Sequence, residues 1–274
     1  MPQLTQTQTS PIQISVINES TVLADTDVVP VVAALQKQVT NDFFPAWGTD
    51  AELTLVPKGA LPASGSWWLV LLDDTDQANA LGYHDLTSEG LPIGKAFVVS
   101  DLKAGTSWTV TASHELLEML GDPNINLTVF VQNTNTAGIL YAYEVCDACE
   151  DDSLGYKIDN ILVSDFVYPS WFESFRTEGS TQFDRTKKMQ MPFQLLVNGY
   201  IGLFNVTAGS GWQQQTAEKR PANLLHRGGI GTRRERRSIP HDQWINSLPQ
   251  RKIVGNAQKY RQQLETIQQR RKAA

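Results

Sequence analysis

Cysteine is nearly absent: the 274 residues hold only Cys146 and Cys149, both in the stretch EVCDACEDD. A lone C-x-x-C leaves three readings: a redox pair, half of a zinc site, or two ordinary thiols. With no second C-x-x-C, a zinc ribbon built on four cysteines is excluded. The flanking Glu144, Asp147, Glu150, Asp151 and Asp152 repel a thiolate and raise its pKa, which argues against a thioredoxin-type nucleophile. Long apolar runs are missing too. None approaches the ~20 residues that span a bilayer, so no membrane span is expected. The opening MPQLTQTQTSPIQ has neither a basic n-region nor an apolar h-region, the pattern of a cytoplasmic protein without a signal peptide. Histidine is scarce, with four in all: His84, His114, His226 and His241.

What remains is enough for a sizeable core. Hydrophobic residues make up 41% of the chain, and seven Trp and seven Tyr argue against disorder over most of its length. The net charge of -6 is unevenly spread. From Gln215 onward there are 14 Lys and Arg against 4 Asp and Glu, leaving 9 against 25 in the preceding part. An acidic body with a basic tail is a two-part molecule. Such a tail suits an anionic partner, although charge runs are also commonly just solvated. Its few aromatics offer little for bases to stack on, so specific nucleic-acid binding is not expected.

Hydrophobic periodicity predicts an α+β chain. Residues 1–11 are a Gln/Thr-rich lead, read as disordered. The segment IQISVINES alternates like a strand. In VVPVVAALQKQVTNDFFPAW, Val31, Val32, Leu35, Val39 and Phe43 recur at helical spacing. AELTLVPK and SWWLVLLDD read as strands, the second apolar on both faces and so central. TDQANALGYHDLTSEGLPIG reads as a loop, KAFVVSDL as a strand, and residues 106–120 as a helix. The second half is richer in strands: LTVFVQN with GILYAYEVCDA, one or two more in YKIDNILVSDFVYPSWF, and a hairpin-like turn at NGY in MQMPFQLLVNGYIGLFNV. The expected divisions are 1–11, 12–214, and a basic linker with a short amphipathic helix over 215–274.

The most informative stretch is TASHELLEMLGDP, residues 111–123. Side chains four apart on a helix share a face, so His114 and Glu118 can point at one metal ion. Glu115 lies about 100° round and can hold a water beside that ion. Val110, Leu117 and Leu120 supply the core anchor, and Gly121 with Asp122-Pro123 ends the helix. The plainer reading is an amphipathic helix with a capped or solvated His114 and two wet glutamates. A catalytic zinc needs a third protein ligand. Glu144, Asp147, Asp122, His84 and the cysteines are the candidates, with His84 more simply read as a turn histidine and Asp122 as a cap. His226 and His241 belong to the solvated tail.

H-E-x-x-E differs from the zinc-protease signature H-E-x-x-H only at its last ligand, here Glu118. A strand-helix-three-strand unit leading into this helix resembles the N-terminal half of the zincin metalloprotease fold over about residues 12–125. The segments SHELLEMLGDP, EVCD and MPFQLLVNGY also resemble uncharacterised bacterial and phage zincin-like proteins, to about residue 205. The resemblance implies His114 and Glu118 as ligands, Glu115 as general base, and Glu144 as third ligand in the gluzincin manner. Asp147 would orient a ligand or replace one, with Asp122 a further alternative. It also implies KAFVVSDL as the edge strand that receives an extended peptide, with Tyr143 or Tyr200 near the oxyanion. The implied cofactor is Zn2+, although one His with two carboxylates cancels the charge of zinc and admits Mn2+ or another harder ion. The expected function is a metal-dependent hydrolase, most simply a metallopeptidase acting on a peptide or protein. The alternative is an inactive zincin-like scaffold or phage-associated interaction protein, virion-associated, with a structural metal.

Overall fold

The computed structural model describes residues 11–76, 80–208 and 211–217. The expected 1–11 lead, apart from Pro11, and the tail from residue 218 lie outside the described residues. The described part is α+β. Its strands are β1 (Ile12–Asn18), β2 (Ala51–Val56), β3 (Trp67–Leu72), β4 (Gly82–Leu86), β5 (Pro92–Phe97), β6 (Thr128–Thr134), β7 (Ala137–Ala142), β8 (Tyr156–Ile158), β9 (Ile161–Val163), β10 (Tyr200–Asn205) and β11 (Trp212–Thr216). Its α-helices are α1 (Asp25–Lys37), α2 (Phe44–Trp47), α3 (Val98–Ala104) and α4 (Trp108–Gly121). Among the described residues no helix is long and apolar enough to cross a membrane.

The first sheet has the order β2-β1-β3-β5-β4, parallel throughout except for β4, which runs antiparallel to β5 at the edge. β3 is central, as its two-sided apolar sequence predicts. Alternation sorts its side chains: Leu69 and Leu71 join the main core under the helices, while Val70 and Leu72 pack in a smaller cluster on the other face. Val31, Val32, Leu35, Val39 and Phe43 are all buried in the main core, confirming the helical spacing. After α1 the helix widens into a π turn over Gln38–Phe43.

Two expectations fail here. The segment read as a loop contains β4, and the segment read as an edge strand supplies only the end of β5, which is flanked on both sides, before turning into α3 at Val98. GYHDL carries a glycine, a histidine and an acid, so its composition resembles a turn. Its burial on the sheet under α4 overrides that local preference.

In the second half, β11-β10-β7-β6 form an antiparallel sheet, and β8-β9 a hairpin turning at Asp159 and Asn160, both in the left-handed region. β11 runs to Thr216 and pairs with Tyr200, so the expected boundary at 215 falls inside a strand. NGY is a turn leading into β10 rather than a link between two paired strands. It docks on the turn at 147–149: Leu196 N donates to Ala148 O at 3.0 Å, and a Cβ on Gly199 would meet that oxygen at 2.2 Å.

The second half also buries a pair of acids. Asp165 accepts bonds from Phe166 N and Thr186 N, and Thr186 Oγ1 donates to both Asp165 Oδ2 and Asp184 Oδ2. Burial pushes the Asp165 carboxyl up to about 7; the hydrogen bond from Thr186 opposes that rise and the neighbouring Asp184 adds to it. The native state therefore keeps a proton that the unfolded chain has released above its ordinary 3.8. Stability should fall as pH rises from about 4 to about 7, then level off. Asp165→Asn imitates the protonated acid and should flatten that decline in denaturation midpoints measured across the window. An unchanged slope would show that Asp165 is not its source.

Candidate metal centre

Helix α4 lies close against the sheet because β4 and β5 place small residues, Gly82, Gly94 and Ala96, around His84 on that face. Gly82 pairs with Ala96, and His84 with Gly94. A Cβ on Gly82 would stand 2.6 Å from Thr111 Cγ2 and 2.8 Å from both Cγ and Oε1 of Glu115. One on Gly94 would touch Leu69 at 3.2 Å and Glu115 Cβ at 3.5 Å. The far side of α4 is pinned by Ser113, whose hydroxyl bonds Gln38 Oε1 at 2.6 Å and accepts from Ser164 N at 3.0 Å. Thr111 Oγ1 donates to Asp101 near the start of the helix. As a result every residue from Ala112 to Leu120 is buried, including His114, Glu115 and Glu118. The wet glutamate face of the plainer reading does not exist.

These buried groups meet others from outside the helix. His114 Nε2 is 3.1 Å from Glu118 Oε1 and 3.2 Å from Asp147 Oδ1. His84 Nδ1 is 3.5 Å from Glu118 Oε2 and 3.6 Å from Glu115 Oε2, and its Nε2 is 3.7 Å from Glu144 Oε2. Two sets of ligand-type atoms each lie within 4.8 Å of one another: His114, Glu118, Asp147 and His84, Glu118, Glu144. Ligand atoms ~2.1 Å from a tetrahedral zinc are separated by roughly 3.4 Å, and the spacings here bracket that value. The donor set of imidazole and carboxylate suits zinc or manganese.

Electrostatics point the same way. Burial pulls the His114 pKa down, but Glu118, Asp147 and Glu115 outweigh burial and hold it well above the ordinary 6.5. Four carboxylates and two imidazoles in a buried cluster favour an added cation, whether a proton or a metal. The residues fit a divalent ion.

The predicted residues are thus partly regrouped. His114 and Glu118 come together as their spacing requires. The third group beside them is Asp147, while Glu144 stands with His84 on the other side of Glu118. The irregular stretch after β7 passes along α4, with Cys146 N 3.4 Å from Glu118 Oε1, so residues 144 and 147 fall to either side of that carboxylate. Asp122 belongs to neither set. It braces the loop after α4, accepting from Asn126 N and Leu127 N, both at 3.0 Å. Gly121 does not adopt a left-handed φ; a Cβ there would meet Val145 Cγ1 at 3.0 Å, a tight contact.

His84 is the residue that sequence reasoning misplaced. It is fully buried on β4, facing α4 with Gly82. The signal was the alternation of Gly82, His84 and Leu86 within a short strand-compatible stretch. Tyr143 is committed to ring packing, 4.5 Å from Phe172 and 5.4 Å from Trp47, and Tyr200 is buried on β10. The cysteines are unbridged and buried. Burial first, and Glu118 next for Cys146 or Asp165 for Cys149, push both thiols well up, which disfavours the thiolate. A cleft of about 610 Å³ is lined by residues such as Asp42, Tyr168 and Arg185, none from the cluster.

Gly82→Ala tests the seating of α4. The added methyl has nowhere to go without moving Thr111 and Glu115, so overpacking should cost about 1–3 kcal/mol. A melting temperature equal to wild type would show that the helix is not held this closely.

Compared with protein-family models, with curated proteins and with solved structures, the chain matches none.

Proposed function

We propose that this protein is a divalent-metal-dependent hydrolase of zincin-like architecture, most simply a peptidase. The observation that carries the reading is the convergence of His114 and Glu118, from one turn of α4, with Asp147 from a distant segment. The order strand, helices, strand, strand, antiparallel edge strand, strand, a short helix, then the helix bearing the motif supports that architecture. His114, Glu118 and Asp147 would hold the cation, which supplies Lewis acidity toward a carbonyl oxygen and a water.

The remaining chemistry belongs to the chain. Glu115 is one residue from the ligand His114 and is buried against β4, with its carboxylate at the cluster rather than in solvent. A buried carboxylate at hydrogen-bond reach of a water accepts its proton and returns it to a leaving amine. Glu144 and His114, each slightly exposed, form the side on which a substrate would approach. A peptide laid along β4 would need that edge to open, because all five β4 residues are buried.

A second reading has its own support. Each residue of the cluster is more than nine-tenths buried, as befits a scaffold with a structural metal. Glu115→Gln separates the two, since it keeps size and helix propensity while removing the basic oxygen. In a hydrolase, cleavage of a broad peptide library with Zn2+ or Mn2+ supplied should fall by about two to four orders of magnitude, with metal content unchanged. A wild type that binds metal and cleaves nothing under those conditions would leave the structural reading.

A further inference from the structure

The cluster has two centres rather than one. Glu118, the only residue common to both ligand sets, directs a different oxygen to each: Oε1 to His114 at 3.1 Å and Oε2 to His84 at 3.5 Å. We propose that the site is dinuclear, with two divalent cations bridged by the Glu118 carboxylate. One is held by His114 and Asp147, the other by His84 and Glu144. This rests on the reading above that the cluster binds metal at all, and extends it to a second ion.

Charge makes the case for two ions. Glu115, Glu118, Glu144 and Asp147 are all buried and within reach of one another's histidine partners. With both imidazoles neutral, as ligands must be, they carry four negative charges. One divalent cation leaves two of these uncompensated in a dry environment, which is heavily penalised. Two divalent cations bring the cluster to neutrality.

Geometry agrees with the charge. His84 reaches the cluster from an edge strand, opposite Gly94, where the missing side chain leaves it room. Its separations from Glu118 Oε2 and Glu144 Oε2, 3.5 and 3.7 Å, match those between ligands of a shared ion. A carboxylate bridging two ions holds them roughly 3.5–4 Å apart, the spacing of two-metal hydrolytic sites. Such a pair clamps both the attacking and the leaving atoms of a displacement, which suits amide or phosphoester substrates.

The test uses the full chain, stripped by chelator and reloaded with Zn2+ or Mn2+ alone. Elemental analysis after desalting should give two equivalents per chain, and the Mn2+ form should show an exchange-coupled paramagnetic resonance spectrum. His84→Ala should bind one equivalent and restore the spectrum of isolated Mn2+; His84→Gln serves if the alanine variant does not fold. One equivalent in the wild type, lost in His114→Ala but kept in His84→Ala, would overturn the second ion and leave the mononuclear reading intact. Two equivalents without coupling would overturn the bridge. No bound metal would overturn both readings together.

Discussion

A fully buried carboxylate between two histidines is the constraint on which the rest of the structure turns. Glu118 has no exposure, yet it stands within 3.1 Å of His114 and 3.5 Å of His84. Placing a charge there is costly unless partners are held in exact positions around it. Each neighbouring feature serves that end. The sheet gives up side chains at Gly82 and Gly94 so that α4 can sit close. The chain after β7 returns along the helix to bring Glu144 and Asp147 to it.

That returning segment is held from several sides. Val167 N donates to Val145 O at 2.8 Å, and Leu196 N to Ala148 O at 3.0 Å, so residues 145–148 are bonded on both flanks. Tyr143 anchors its start in a ring cluster with Trp47 and Phe172, which continues to Trp171 and Phe193. Trp47 Nε1 in turn donates to Val167 O. A ligand set drawn from separate parts of the chain is useful only if it is preorganised, because ordering it on binding would consume affinity. Here the aromatic packing and backbone bonds do the ordering in advance.

The same burial shapes the chemistry. Low dielectric strengthens every interaction among His84, His114 and the four carboxylates, and it also silences the nearby thiols by keeping them protonated. The C-x-x-C therefore contributes packing and turn geometry. Cys146 offers its backbone N–H to Glu118, not its sulfur. A catalytic role demands that a substrate reach this interior, whereas a structural metal does not, and the closed edge at β4 is the feature on which that difference rests.

Local pattern alone determined a good deal. The spacing of Val31, Leu35, Val39 and Phe43 marked a helix, the two-sided apolar run SWWLVLLDD marked a central strand, and the four-residue step from His114 to Glu118 placed both side chains together. These are properties of periodicity, which chemistry near in sequence dictates. The tertiary structure decided that GYHDL is a strand, because its propensity is weak and pairing with β5 and the seat under α4 stabilise it. It also decided that Asp147 rather than Glu144 joins His114, since a three-residue difference along an irregular segment has no fixed direction until packing supplies one. His84 lies thirty residues before His114, and no sequence period links them. Both reach Glu118 because an antiparallel edge strand and a helix pack face to face across glycines.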